Sequence, residues 1–226
     1  MIVKKFFFSC SFIILSFSLL SQNGYNKELN LMKFINDSGP IFLNGDTIIC
    51  PSKGVDHDTF DYYAVCFSIL NKDGDIIFRS IDSVSQCLYY YNDLNKVYLV
   101  GDTLITAVDI ENLEDADTHI LLYDLKNGDI LKKINVESQI DNWAFLHDMV
   151  QINDSIYATL SNVLEYPHSK KSDIQISIVN IKSDVVKYLN FGVKDTIDYL
   201  YCLHWTGKDF LVGSVYLRVL KLNVDR

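Results

Sequence analysis

Two stretches of the chain end in the same dipeptide and carry side chains suited to chemistry: Asp141-Asn-Trp-Ala-Phe-Leu-His147 and Asp198-Tyr-Leu-Tyr-Cys-Leu-His204. Neutral imidazoles such as His147 and His204, if brought together, can bind a metal ion or move a proton, and Asp148 and Trp205 follow them directly. The spacing supplies no third ligand, so shared packing of a duplicated motif competes with a site. Acidic and histidine-bearing segments lie elsewhere: Asp56, His57, Asp58 and Asp61; Glu114, Asp115 and Asp117; Glu165 and His168. Clustered carboxylates can hold a hard divalent cation, but none of these runs has the spacing of a calcium loop, and solvated loop tips account for them as well. No motif specifies a cofactor. Nucleophilic chemistry has no support: there is no Gly-x-Ser-x-Gly elbow, no Cys-His signature, no His-Glu-x-x-His pair and no glycine-rich phosphate loop. A glycosidase-like pair of carboxylates is defined by separation in space, which sequence does not give.

The elements that must position these residues come from an internal repeat. Phe67 to Ile77 reads FSILNKDGDII, Leu121 to Leu131 reads LLYDLKNGDIL and Ile176 to Val186 reads ISIVNIKSDVV; Leu217 to Asp225 reads LRVLKLNVD. In this alignment Asp75, Asp129, Asp184 and Asp225 share one place. Each complete copy is an alternating strand, a polar turn and a second strand, predicted over 76–81, 130–136 and 185–191. A second landmark precedes each copy: Asp46-Thr-Ile, Asp102-Thr-Leu, Asp154-Ser-Ile and Asp209-Phe-Leu, spaced by 56, 52 and 55 residues. One unit therefore holds an apolar segment, a turn at the Asp, a strand, a longer loop and the hairpin, which makes four antiparallel strands A to D.

A period in the low fifties with four strands resembles one blade of a β-propeller. The resemblance covers the chain beyond residue 21 and names no family, since the WD, kelch and quinoprotein signatures are missing. It implies an all-β fold: a four-bladed β-propeller of four-stranded antiparallel blades, with units at about 37–82, 88–136, 143–191 and 199–226. The fourth unit stops where strand D should begin, and Leu29 to Ile35 is expected to supply it, closing the ring and removing unpaired edges. A truncated piece of a larger propeller is the alternative. The architecture also implies that the B-C loops, Pro51–Tyr62, Glu111–His119 and Leu164–Asp173, share one ligand-facing side, and that His147 and His204 face a central channel. Most aromatics, among them Tyr201 and Trp205, are expected to pack blade against blade.

Met1 to Asn23 has the zones of a secretory signal: Lys4 and Lys5, an apolar run from Phe6 to Leu20, and Ser21 before Gln22. An apolar run of about 15 residues is short for a membrane span of roughly 20. Cys10 lies too early in that run for lipid attachment, and no later run is long enough to cross a bilayer. Cleavage after Ser21 leaves 22–226 as a single domain, secreted or periplasmic. Together with repeated Asp-Ser/Thr-apolar triplets at Asp46, Asp82, Asp102, Asp154 and Asp195, the Ser-Gln boundary resembles exported proteins of Bacteroidetes-type bacteria, although turn chemistry explains the triplets better. Cysteines Cys50, Cys66, Cys87 and Cys202 remain; Cys50 with Cys66, on successive strands of one hairpin, is the expected disulfide, with buried free thiols the equal alternative.

Loss of Lys4 and Lys5 moves the formal charge from -9 to -11, which disfavours nucleic acid and anionic lipid. The sum of these features points to a binding or interaction module for a protein or glycan ligand. A glycan-active hydrolase or lyase, centred in the channel or on the acidic loops, is the alternative.

Overall fold

The computed structural model describes residues 34–38, 40–56, 62–81, 86–87, 96–111, 116–139, 143–164, 173–191, 200–214 and 219–223. All its regular elements are β-strands. Unit one comprises β1 (Phe34–Ser38), β2 (Phe42–Asn44), β3 (Thr47–Asp56), β4 (Tyr62–Asn71), β5 (Ile76–Ile81) and the short β6 (Gln86–Cys87). Unit two is β7 (Val97–Val100), β8 (Thr103–Glu111), β9 (Ala116–Asp124) and β10 (Ile130–Val136). Unit three is β11 (Trp143–Asn153), β12 (Ile156–Leu164), β13 (Asp173–Asn180) and β14 (Val185–Phe191), and unit four is β15 (Leu200–Trp205), β16 (Asp209–Ser214) and β17 (Val219–Asn223). Within each unit successive strands pair antiparallel, so the chain is a string of four meanders. Units two and three are also joined by one parallel bridge, Trp143 to Ala116. The fourth strands β5, β10 and β14 occupy the residues that the repeat predicted.

The turns follow from local polar chemistry. In unit one the Asn71 Oδ1 accepts the N–H groups of Asp73 and Asp75 at 2.9 and 2.8 Å, and Gly74 takes φ 80°. In unit two Asp124 accepts Lys126 N–H, the Gly128 N–H bonds the Asp124 carbonyl at 2.7 Å, and Gly128 has φ 75°. Unit three has the same geometry with Asn180 in the place of Asp124, but the residue whose N–H closes the turn is Asp184, with φ 60°. Asp184 therefore replaces Gly128, not Asp129, and the ungapped alignment of the repeat is one residue out at this point. Its left-handed backbone is held by Lys132, which pairs with the carboxylate at 2.6 Å and donates to the Ile181 carbonyl at 2.8 Å from β10 of the preceding unit.

The N-terminal strand departs from expectation. Phe34 and Ile35 pair with Asp56 and Val55 of β3, not with β17, so β1 and β2 form one interrupted first strand of unit one. Pro40, which has no N–H to give a ladder, lies at the interruption, and the register gains one residue there. The remainder of the expected closing strand, 29–33, and the whole of 1–21 lie outside the described residues. No sheet among the described residues joins unit four to unit one.

The core lies between units. Ile49, Phe67 and Ile69 of unit one pack with Leu104, Leu121 and Tyr123 of unit two. Ile105, Ile120 and Leu122 pack with Met149, Tyr157 and Val179 of unit three, and Leu160 and Ile176 pack with Leu203, Phe210 and Val212 of unit four. A third strand such as β13 is buried almost throughout because it has neighbours on both faces, whereas the outer β10 and β14 alternate with solvent. Each aliphatic side chain so buried contributes about 1.5–3 kcal/mol.

Candidate functional site

The inner strands share an irregularity. In β11 the register shifts between Leu146, opposite Ser161, and Asp148, opposite Leu160, which makes His147 the extra residue of a β-bulge. In β15 it shifts between Leu200, opposite Ser214, and Cys202, opposite Gly213, with Tyr201 extra. The interruption at Pro40 follows Ser38, opposite Ser52. Ser52, Ser161 and Ser214 thus mark one position in three units, and the counterpart of His147 is Tyr201. His204 sits three places further on, opposite Leu211, where β11 has Val150 opposite Ala158. The two histidines are not equivalent, and the expected symmetric pair is corrected by the bulges. Both are exposed. Surrounding protein disfavours the imidazolium of His147 and lowers its pKa from 6.5 to about 4.

Asp148 is a buried carboxylate of the unit seam. Its Oδ1 accepts the Met149 N–H and its Oδ2 accepts the Leu203 N–H of unit four, both at 2.7 Å, while Lys96 of unit two approaches to 3.4 Å. Asp109 does the same one seam earlier, accepting the Thr118 hydroxyl at 2.9 Å and the Leu146 N–H at 2.7 Å. Each carboxylate thereby links the backbone of neighbouring units. Trp205 is half-buried, its ring 4.7 Å from that of Phe210 in the neighbouring strand.

Of the acidic loops, Asp56 ends β3 and Asp117 lies half-buried in β9 opposite Ile110. His57, Asp58, Asp115 and His168 lie outside the described residues. The structure places Cys50 opposite Ser68 and Cys66 opposite Ser52, and Cys50 is a free thiol whose pKa burial raises, in place of the expected disulfide. Among the described residues no three His, Cys, Asp or Glu side chains come close enough to hold a metal ion. His119 is buried, its Nδ1 has no hydrogen-bond partner, and burial with Lys133 nearby lowers its pKa to about 4.

A concave surface forms at the opposite end of the strands, where the A-B and C-D turns meet. The Leu125 N–H bonds the Asp102 carbonyl, and the Ile181 N–H bonds that of Ser155, so the two turns of units two and three are tied together. Between units one and two they enclose a cleft of about 200 Å³. Ile49, Ile69, Phe78 and Leu125 line it with apolar surface, Asn44 and Thr47 contribute to one wall, and the Lys126–Asp102 ion pair, 3.1 Å, to another. The outer strands add an apolar row. Ile77 in β5 and Leu131 in β10 are each the extra residue of a bulge just after the turn and are 60% and 55% exposed, and Val185 follows at 60% in β14. Sequence reasoning passed over these residues. The available signal was the doubled apolar residue after each turn, Ile76-Ile77, Ile130-Leu131 and Val185-Val186, which breaks strict alternation.

No protein family matches the sequence, and neither does any curated protein. Among solved structures the chain is similar to the acylaminoacyl peptidase of Pyrococcus horikoshii, with 11% identity and a TM-score of 0.46 over 79% of this chain and 28% of that one. It is also similar to BamB of Moraxella catarrhalis, with 12% identity and a TM-score of 0.40 over 82% of this chain and 60% of that one. The chain spans under two thirds of either.

Proposed function

We propose that the chain is an exported repeat protein of propeller type, each meander one blade, that binds a protein partner through its turn face. The observation that carries this is the outward-turned Ile77, which lines the cleft between units one and two, together with Leu131 and Val185 exposed at the start of the outer strands of units two and three. Two bulges turn large apolar residues outward at corresponding points of successive units, and such surface costs solvation unless something covers it. The cleft accepts an apolar side chain, and its polar walls orient a peptide backbone. Export rests on the basic and apolar zones of Met1 to Ser21. No helix among the described residues is long and apolar enough to cross a membrane.

The test is panning of a random-peptide library on the secreted protein, with Ile77→Asp and Leu131→Asp combined as the comparison. Selected peptides carry apolar anchors and lose at least tenfold in affinity for the double variant. Equal binding to both proteins refutes the assignment to this face, and binding confined to a glycan array refutes the partner class. Mass spectrometry of the secreted chain checks export, with Gln22 as the expected first residue.

A further inference from the structure

The three seams between units are built from corresponding positions, and the outer faces of units one and four are the two halves of a fourth. Counting from the turn, Ile41 of unit one corresponds to Val97, Met149 and Leu203, which stand opposite Thr106, Thr159 and Val212. Each of those three is pressed against the preceding unit and is 6%, 1% and 4% exposed; Ile41 is 68% exposed. Leu43 corresponds to Leu99 and Trp205, both partly buried against a core cluster, yet it is 78% exposed. On the same face Ser68 and Leu70 of β4 are buried, so the opening is confined to the inner strand. At the far end, Leu211 corresponds to Ile49, Ile105 and Ala158, which are buried against the following unit, but Leu211 is only half-buried, and Cys202 and His204 beside it are exposed. Among the described residues no core cluster contains residues of both unit one and unit four.

We propose that these faces are a head-to-tail interface between two copies of this chain. A leading face and a trailing face are complementary because every internal seam joins one of each, and a pair of copies satisfies both ends at once, closing the assembly. The internal seams also fix which residues meet. The Lys96 ammonium reaches Asp148, the Tyr98 hydroxyl donates to the Met149 carbonyl at 3.1 Å, and Asp148 accepts the Leu203 N–H. By position, Cys202 and His204 of one copy then face Pro40 and Ile41 of the other. The inference rests on reading the meanders as stacked blades, not on export or on the turn-face ligand.

The experiment pairs sedimentation with a cysteine trap. Wild-type protein is expected to sediment at twice the mass of one chain, and Ile41→Asp at the mass of one, with an unchanged thermal midpoint once monomer is compared with diluted wild type. In Ile41→Cys, mild oxidation is expected to join position 41 of one chain to native Cys202 of another, giving a dimer on non-reducing gels that peptide mapping assigns. A 41–202 link within a single chain overturns the proposal in favour of a ring closed by four units. Wild type that stays monomeric at every concentration also overturns it, and so does a ladder of higher species, which marks open filaments. None of these results bears on the peptide-binding test of the turn face, so the two readings fail separately.

Discussion

Replacing Asp148 by Asn keeps the shape of the side chain and removes its charge, which isolates what the carboxylate does at the seam of units two, three and four. Both oxygens accept backbone N–H groups at 2.7 Å in a side chain that is only 2% exposed. Hydrogen bonds to a charged group contribute about 1.5–3 kcal/mol each. The amide carbonyl can keep one of them in weaker form, but the amide nitrogen then faces the other N–H, donor against donor. The loss is therefore about 2–4 kcal/mol. The pair with Lys96 adds little, because the Lys side chain is 45% exposed and the partners are 3.4 Å apart. At about 2–4 °C per kcal/mol for a chain of this size, the thermal midpoint should fall by roughly 5–15 °C. Differential scanning calorimetry measures it, and urea titration should show a lower midpoint with an unchanged slope. In a double-mutant cycle Lys96→Met should couple to Asp148→Asn by under about 1 kcal/mol. A midpoint within about 2 °C of wild type would refute the staple; if turn-face binding were lost at the same time, Asp148 would belong to a ligand site after all.

Stability should fall as pH drops from 6.5 toward 4. His119 has a folded pKa of about 4 against an ordinary 6.5, so the unfolded chain binds more protons in that window; the stabilisation is present above 6.5 and lost on the way down. The effect approaches about 3 kcal/mol for a group this buried, and His119→Gln should flatten the calorimetric pH profile. By NMR His147 should titrate below the ordinary 6.5. Asp184→Val should cost about 1–2 kcal/mol for a β-branched residue forced to φ 60°, besides the lost Lys132 pair, whereas Asp184→Gly should be close to neutral, since backbone relief offsets that loss; chemical denaturation checks both. Unfolded without reductant, the chain should react at Cys50 with an alkylating agent, and mass spectrometry that finds Cys50 bonded to Cys66 would overturn the free thiol.

The meanders were legible because each hairpin joins alternating strands through Asn, Asp and Gly, and these signals are local. The bulges were not. His147 and Tyr201 are ordinary strand residues in sequence, and only the pairing with Ser161 and Ser214 shows that an extra residue has entered each inner strand. The resemblance between the two Leu-His dipeptides concealed the three-residue offset between them. Asp148 was noticed for its neighbour His147, yet its partners, Leu203 and Lys96, are 55 and 52 residues away, beyond what a local pattern reports. Of the expected closing strand only Phe34 and Ile35 are described, and they were misread for a related reason: Pro40 splits the first strand of unit one, and the segment before it read as a separate element although it shares β3 as partner. The cleft escaped because it is made by turns of two different units.

The placement of the core between meanders also governs how the molecule comes into being. A meander on its own leaves half of a cluster exposed, so the first unit to emerge during synthesis or export has nothing to fold against until about fifty more residues have followed it. Order should then spread one seam at a time along the chain, in the manner of a nearest-neighbour array. Each added repeat contributes a joint as well as a module, so a lineage that duplicates or deletes one unit changes stability in steps of a whole seam.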